Sequence, residues 1–317
     1  MNASVVGRCV STSGGGAHLK SGNASRCSRG GCRLGRDVSA AAEDCSFRSA
    51  DSLPHFTPTD QFLSLEKRVS DFNQAVEVVQ LPNIPNPNEG PVVGVPEHYL
   101  GVRAMLIGGI EGELIPQSVY HPERVLTGEC WDTLAILPSI IPDGVMGIYG
   151  LGGGSLARIC EVYYPQQKIM AWEVDPTVVE LADKWMGLGF LQKHGNLTVR
   201  IGDCLSNNAT VRDGFAGLVI DLFDAGGLMD QLTQKSTWET FKNRMMPRGR
   251  ILANMDKFDE ELCNVLLDVF EGSVSFKEEG SNVLALTGPP PNPTFAEIPS
   301  DLNSQFVGWV SIEELME

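Results

Sequence analysis

The stretch that most constrains the fold runs Val145-Met-Gly-Ile-Tyr-Gly150-Leu-Gly152-Gly-Gly154-Ser-Leu-Ala-Arg158, with Lys168-Ile-Met-Ala-Trp-Glu173-Val-Asp175 after it. An apolar run, a glycine-rich turn, a helix start and a second apolar run ending in an acid make one half of a nucleotide-binding α/β fold. Lacking Cβ atoms, the turn can take positive φ and its backbone can approach a ligand closely. The surrounding pattern alternates, with strands expected near 145–149, 168–173, 197–201, 217–221 and 249–254 and helices near 154–163, 176–186, 230–245 and 257–270. Alternation of this kind specifies a parallel sheet covered on both faces. Two last strands, near 272–277 and 282–287, meet across Glu278-Glu-Gly-Ser as an edge hairpin. The expected fold class is therefore α/β and Rossmann-like, a mostly parallel seven-stranded sheet with its last strand antiparallel.

The glycine spacing narrows the ligand. A dinucleotide fingerprint G-x-G-x-x-G needs glycine at 150, 152 and 155, but residue 155 is Ser and the third glycine is Gly154. That is the G-x-G-x-G spacing of class I methyltransferases, in which the helix N-terminus can meet a methionine carboxylate in place of a pyrophosphate. Glu173 is placed to accept hydrogen bonds from both ribose hydroxyls. Asn196-Leu-Thr-Val-Arg-Ile-Gly202-Asp203-Cys204 reads as a strand that delivers Asp203 toward an adenine amino group, with Cys204 beside it. Gly217-Leu-Val-Ile-Asp221-Leu-Phe-Asp224 brings two more acids to the same edge. Taken singly, Asp203 fits a turn equally well, and Asp175 reads as the N-cap of a helix starting at Pro176. Taken together and in this order, Gly150, Gly152, Gly154, Glu173, Asp203, Cys204 and Asp221 make one cofactor site, with Asp221 and Asp224 as the candidate catalytic acids.

The chain ends differ from this middle. Residues 1–36 hold Arg8, Lys20, Arg26, Arg29, Arg33 and Arg36 and no acid, amid Ser, Gly and Ala. That is the composition of an organellar transit peptide, and the scarcity of apolar residues favours a plastid over a mitochondrion. We expect a leader over 1–53, a linker and small β-rich subdomain over 54–122, the cofactor-binding domain over 123–288 and a surface-packed tail over 289–317. Within the subdomain, 54–71 reads as linker and short helix, and strands fall near 75–81, 103–107 and 113–115; Glu123 to Leu137 reads as a helix entering the core. Setting aside the six leading basic residues leaves 18 against 40 acids, a net charge near −22. Such a surface repels phosphate backbones, which argues against a nucleic-acid partner and suits a cationic small-molecule acceptor. Cys130, Cys160, Cys204 and Cys263 lack C-x-x-C spacing and read as buried or half-buried thiols, with no metal site. No run of 18 apolar residues provides a membrane span. A homodimer is compatible with the sequence and not required by it.

The order of small sheet, helix, glycine turn, Trp172-Glu-Val-Asp175, Gly202-Asp-Cys204 and Asp221-Leu-Phe-Asp224 resembles the spermidine synthase family and its methyltransferase-like relatives over about residues 100–287. By that resemblance Glu173 binds ribose, Asp203 binds adenine, Asp221 stands where aminopropyltransferases hold their catalytic acid, and Asp224 is the second acid of D-x-x-D. The first turn departs from the pattern. Aminopropyltransferases read Gly-Gly-Gly-Asp-Gly-Gly there, and Gly153 replaces the Asp that helps hold the amine of decarboxylated S-adenosylmethionine. A carboxylate at that point repels an intact methionine carboxylate by on the order of a few kcal/mol. The approach motif also differs: Tyr120 and His121 either line an acceptor pocket or are half-buried residues of the small sheet and its exit turn, and Ala225-Gly-Gly-Leu replaces Pro-Met-Gly-Pro. The leading expectation is an S-adenosyl-L-methionine-dependent methyltransferase. The rivals are an aminopropyltransferase using decarboxylated S-adenosylmethionine and a non-enzymatic relative that kept the fold as a binding partner.

Overall fold

A computed structural model describes residues 62–82, 99–108, 114–224, 227–293 and 298–316. The leader expected over 1–53, most of the loop over 82–91 and Glu113 lie outside them. The first described unit is an antiparallel sheet ordered β1-β2-β3-β4, made of β1 (Leu63–Arg68), β2 (Val76–Gln80), β3 (Arg103–Gly108) and β4 (Leu114–Tyr120). β1 corrects the helix expected before Asp71. Leu-Ser-Leu-Glu-Lys-Arg is rich in helix formers, but pairing with β2 from Leu63↔Gln80 to Arg68↔Val76 overrides local propensity. β4 likewise runs on to Tyr120, beyond the short strand expected there.

The helix read from Glu123 to Leu137 shrinks to α1 (Cys130–Leu134) with a 3₁₀ turn over Leu137–Ile140. Asp132 causes the late start. Its carboxylate accepts the backbone N–H groups of Thr127 and Gly128, which holds residues 127–128 in a turn, and Gly128 takes φ 76°.

The main sheet then builds in alternation: β5 (Val145–Tyr149), α2 (Ser155–Tyr163), β6 (Lys168–Glu173), α3 (Pro176–Trp185), α4 (Leu188–His194), β7 (Leu197–Ile201) and β8 (Phe215–Ile220). A two-residue hairpin pairs β9 (Phe223–Asp224) with β10 (Gly227–Leu228), and α5 (Lys235–Asn243), β11 (Met245–Asn254), α6 (Glu260–Val269), β12 (Val274–Glu279) and β13 (Asn282–Thr287) complete the core. The strand order is β12-β13-β11-β8-β5-β6-β7, with β13 antiparallel to both neighbours. This is the expected fold class: a mixed seven-stranded sheet with a separate small N-terminal sheet. Two helix expectations need correction. The one near 230–245 is a 3₁₀ turn over Asp230–Thr233 followed by α5, and α4, which starts at Gly187 with φ 77°, was not expected.

β5 sits between β6 and β8, so the crossovers reverse direction there, which opens a crevice at the carboxyl ends of these strands. One apolar cluster continues from Val76, Val78 and Met105 of the small sheet through α1 to α4 and into one face of the main sheet. The other face packs Tyr149, Trp172, Leu218 and Ile251 with Trp238 and Phe241 of α5 and Leu266 of α6. The tail is more than surface packing. Leu302 and Phe306 are buried, and Val310 bridges Phe276, covering the β12 edge before α7 (Ile312–Leu315).

Candidate functional site

The glycine turn follows β5 and folds back on β6, with Gly150 N–H donating to the Trp172 carbonyl at 3.1 Å. Gly150 has φ 87°, and a Cβ there would lie 2.0 Å from the carbonyl oxygen of Asp221. Only glycine therefore lets this turn reach β8. Glu173 ends β6 beneath the turn and is 1% exposed. Its Oε2 accepts the Gly152 N–H at 2.9 Å and its Oε1 accepts the Asp175 N–H at 3.1 Å. Burial pushes this carboxyl up to about 7, against the pull of those backbone donors.

The small sheet closes over the same turn. Ser118 Oγ of β4 accepts the Gly153 N–H at 2.7 Å, and Ser155 Oγ both donates to the Val119 carbonyl and accepts the Val119 N–H at 2.9 Å. A Cβ on Gly153 would meet the Ser118 Cβ at 2.7 Å and the Met186 Cε at 3.2 Å. Gln117, adjacent in β4, is buried, and its Oε1 accepts no hydrogen bond among the described residues. Sequence reasoning missed Gln117 and Ser118; the available signal was a polar pair inside the apolar run Leu-Ile-Pro-Gln-Ser-Val. Asp175 caps α3 through the Thr177 N–H at 2.8 Å and also accepts from Ser70 Oγ and Asn73 Nδ2 at 2.6 Å, which pins the small sheet to the core.

The D-x-x-D acids separate. Asp221, just past β8, is 3% exposed. Its Oδ2 accepts the Trp131 indole N–H at 3.2 Å and its Oδ1 accepts Asn254 Nδ2 at 3.0 Å. Asp224 closes β9 and is half-buried. Neither Trp131 nor Asn254 stood out in the sequence, because each lies on a different element from Asp221.

Asp203 is exposed after β7, and its Oδ1 accepts the Leu205 N–H at 2.7 Å, the turn role that the sequence left open. Cys204 next to it is buried, and burial raises its thiol well above the ordinary range. The loop is anchored by Arg244, another residue missed by sequence reasoning. That buried guanidinium donates to the carbonyls of Cys204 at 2.7 Å and Ser206 at 2.8 Å and to the Tyr149 hydroxyl at 2.9 Å. Cys160, Cys204 and Cys263 are buried free thiols as expected, whereas Cys130, also buried, is disulfide-bonded, which corrects its reading as a thiol. Tyr120 lies beneath Arg158 at 4.5 Å, and His121 Nδ1 accepts the Arg124 N–H at 2.9 Å, so both serve the small sheet and its exit turn.

Thus the turn after β5, Glu173 of β6, Asp203 after β7 and Asp221 after β8 all occupy the carboxyl edge flanking the switch point. No protein-family model matches the chain. Among curated proteins it is 29% identical over 128 residues to a polyamine aminopropyltransferase of Chromobacterium violaceum, covering 39% of this chain and 48% of that one. It is 26% identical over 168 residues to an eEF1A lysine and N-terminal methyltransferase of Xenopus laevis, covering 47% of this chain and 23% of that one. The chain thus spans about half the length of the first relative and about a quarter of the second. A solved probable spermidine synthase from Corynebacterium glutamicum superposes with a TM-score of 0.56 at 16% identity, over 80% of this chain and 91% of that one. The fold is therefore the spermidine-synthase-like class I methyltransferase fold, small sheet included.

Proposed function

We propose that this chain is a transferase that binds S-adenosyl-L-methionine at the carboxyl edge of β5, β6, β7 and β8 and passes its methyl group to a small acceptor. The observation that carries this reading is the surroundings of Gly153. In the aminopropyltransferase pattern an acid at this position helps hold the cofactor amine. Here the direction a side chain would take is filled by Ser118 and Met186. Without that acid, an intact methionine carboxylate meets no repulsion at the turn.

The acceptor's nucleophile attacks the methyl carbon in line, the sulfur–carbon bond breaks, and S-adenosylhomocysteine leaves. Acceleration comes mainly from proximity and orientation. Asp221, with both oxygens held by protein donors, positions the end of β8, and the half-buried Asp224 is the acid that meets the acceptor. An acidic chain suits a cationic acceptor. The leader composition fits work inside a plastid.

A second reading is aminopropyl transfer from decarboxylated S-adenosylmethionine, favoured by the aminopropyltransferase relative and by the retained D-x-x-D. Thermal shift of the full chain with S-adenosylmethionine, its decarboxylated form and NAD separates these, since stabilisation tracks occupancy of the native state. We expect S-adenosylmethionine to raise Tm most. Preference for the decarboxylated form supports the second reading, and preference for NAD overturns the cofactor class.

A further inference from the structure

The crossover that returns from β7 to β8, residues 202–214, contains no helix, although a doubly wound sheet is covered on both faces. Strand register puts Met170 and Trp172 of β6 beside Thr198 and Arg200 of β7, on the face that α5 and α6 cover further along at β8 and β11. Among the described residues no helix covers this face of β6 and β7. Between the strands and the crossover loop remains a groove of about 720 Å³, a size suited to a small ligand.

Its deeper lining is apolar: Val145, Met170, Trp172 and Val211. Its exposed margin carries Arg200 and Arg212. It shares Gly202 and Asp203 with the crevice at the strand ends, but the glycine turn, Glu173, Asp221 and Asp224 do not line it, and its floor runs along the face of β6 and β7. Arg68 pairs with Glu66 and Glu180, and Arg244 and Arg250 donate to carbonyls. Arg200 and Arg212 make no hydrogen bond or ion pair among the described residues. In a chain with 40 acidic against 24 basic residues, two unpaired guanidinium groups on one apolar groove are a recognition feature. Asp203 is the one acid in the lining, and its Oδ1 is turned onto its own loop at the Leu205 N–H.

We propose that this groove binds a small aromatic anion, its ring system against Met170 and Trp172 and its acid group held by Arg200 and Arg212. Guanidinium groups donate charge-assisted hydrogen bonds to the oxygens of such a group, and methionine sulfur packs well against aromatic rings. Fluorescence titration of the full chain with 8-anilinonaphthalene-1-sulfonate tests the idea. The wild type should bind about one equivalent, and the Arg200→Ala/Arg212→Ala double variant should bind ~tenfold or more weakly. Both positions are exposed, so the double variant should keep its Tm. Arg248→Ala removes another unpaired, exposed arginine outside the groove and should change nothing. The uncharged N-phenyl-1-naphthylamine should not distinguish wild type from the double variant. Absence of wild-type binding, equal weakening by Arg248→Ala, or displacement of the dye by S-adenosylmethionine would each overturn the proposal.

Discussion

The glycine turn and the Asp221 edge lie side by side on neighbouring strands, yet each stabilises its buried carboxylate differently. Glu173 is held by backbone N–H groups, from Gly152 and from Asp175 two residues on. Asp221 is held by side chains, from Trp131 90 residues away and Asn254 33 residues away. A carboxylate satisfied by backbone depends on the path of the chain; one satisfied by side chains depends on which residues stand at distant positions. The first is set by turn geometry and the second by tertiary packing.

The strongest way to break that contrast is at Gly150, where the two regions touch. Gly150→Ala places a methyl group against the Asp221 carbonyl at positive φ, and we expect a loss of ~3–5 kcal/mol in a urea titration. A loss under ~1 kcal/mol would mean that the turn and β8 separate readily.

Next in size is a pH effect at Glu173. Its folded pKa of about 7 lies above the ordinary 4.5, so the folded protein binds this proton more tightly than the unfolded chain does. Its contribution to stability is greatest below pH 4.5, falls as pH rises through the window to 7, and is level above it. The fall is at most ~3 kcal/mol, and Glu173→Gln should remove it. A variant that keeps the same slope in Tm against pH assigns the titration elsewhere.

The smallest effect belongs to the Asp221 side. Trp131→Phe keeps the ring and removes the indole donor to Asp221 Oδ2, which should cost ~1–2 kcal/mol. An unchanged midpoint in the same titration would show that the acid's remaining partners satisfy it.

The same contrast explains what was legible in the sequence. β5, β6, β7 and β13 fall where the residue pattern placed them: β5, β6 and β13 are largely buried, apolar-rich runs, and β7 is a short, β-branched edge strand. The glycine spacing and the end of β6 located the turn and Glu173, whose bonds are local. β1 was misread since its residues favour helix and only the β2 partner makes it a strand. α1 was read too long because Asp132 acts on residues four and five positions back. Trp131, Asn254 and Arg244 were invisible as site residues, since their partners are far away in the chain and none belongs to a spacing motif.

Ser118 has a kinetic and thermodynamic consequence. With Glu173 1% exposed beneath the turn, a ligand that reaches it enters only molecules in which its cover has opened, and the Ser118 hydroxyl on the Gly153 N–H resists any opening that moves the turn away from β4. Its apparent dissociation constant is then the intrinsic one divided by the fraction of molecules so opened. Loosening the latch, without touching any group that contacts the ligand, would tighten binding.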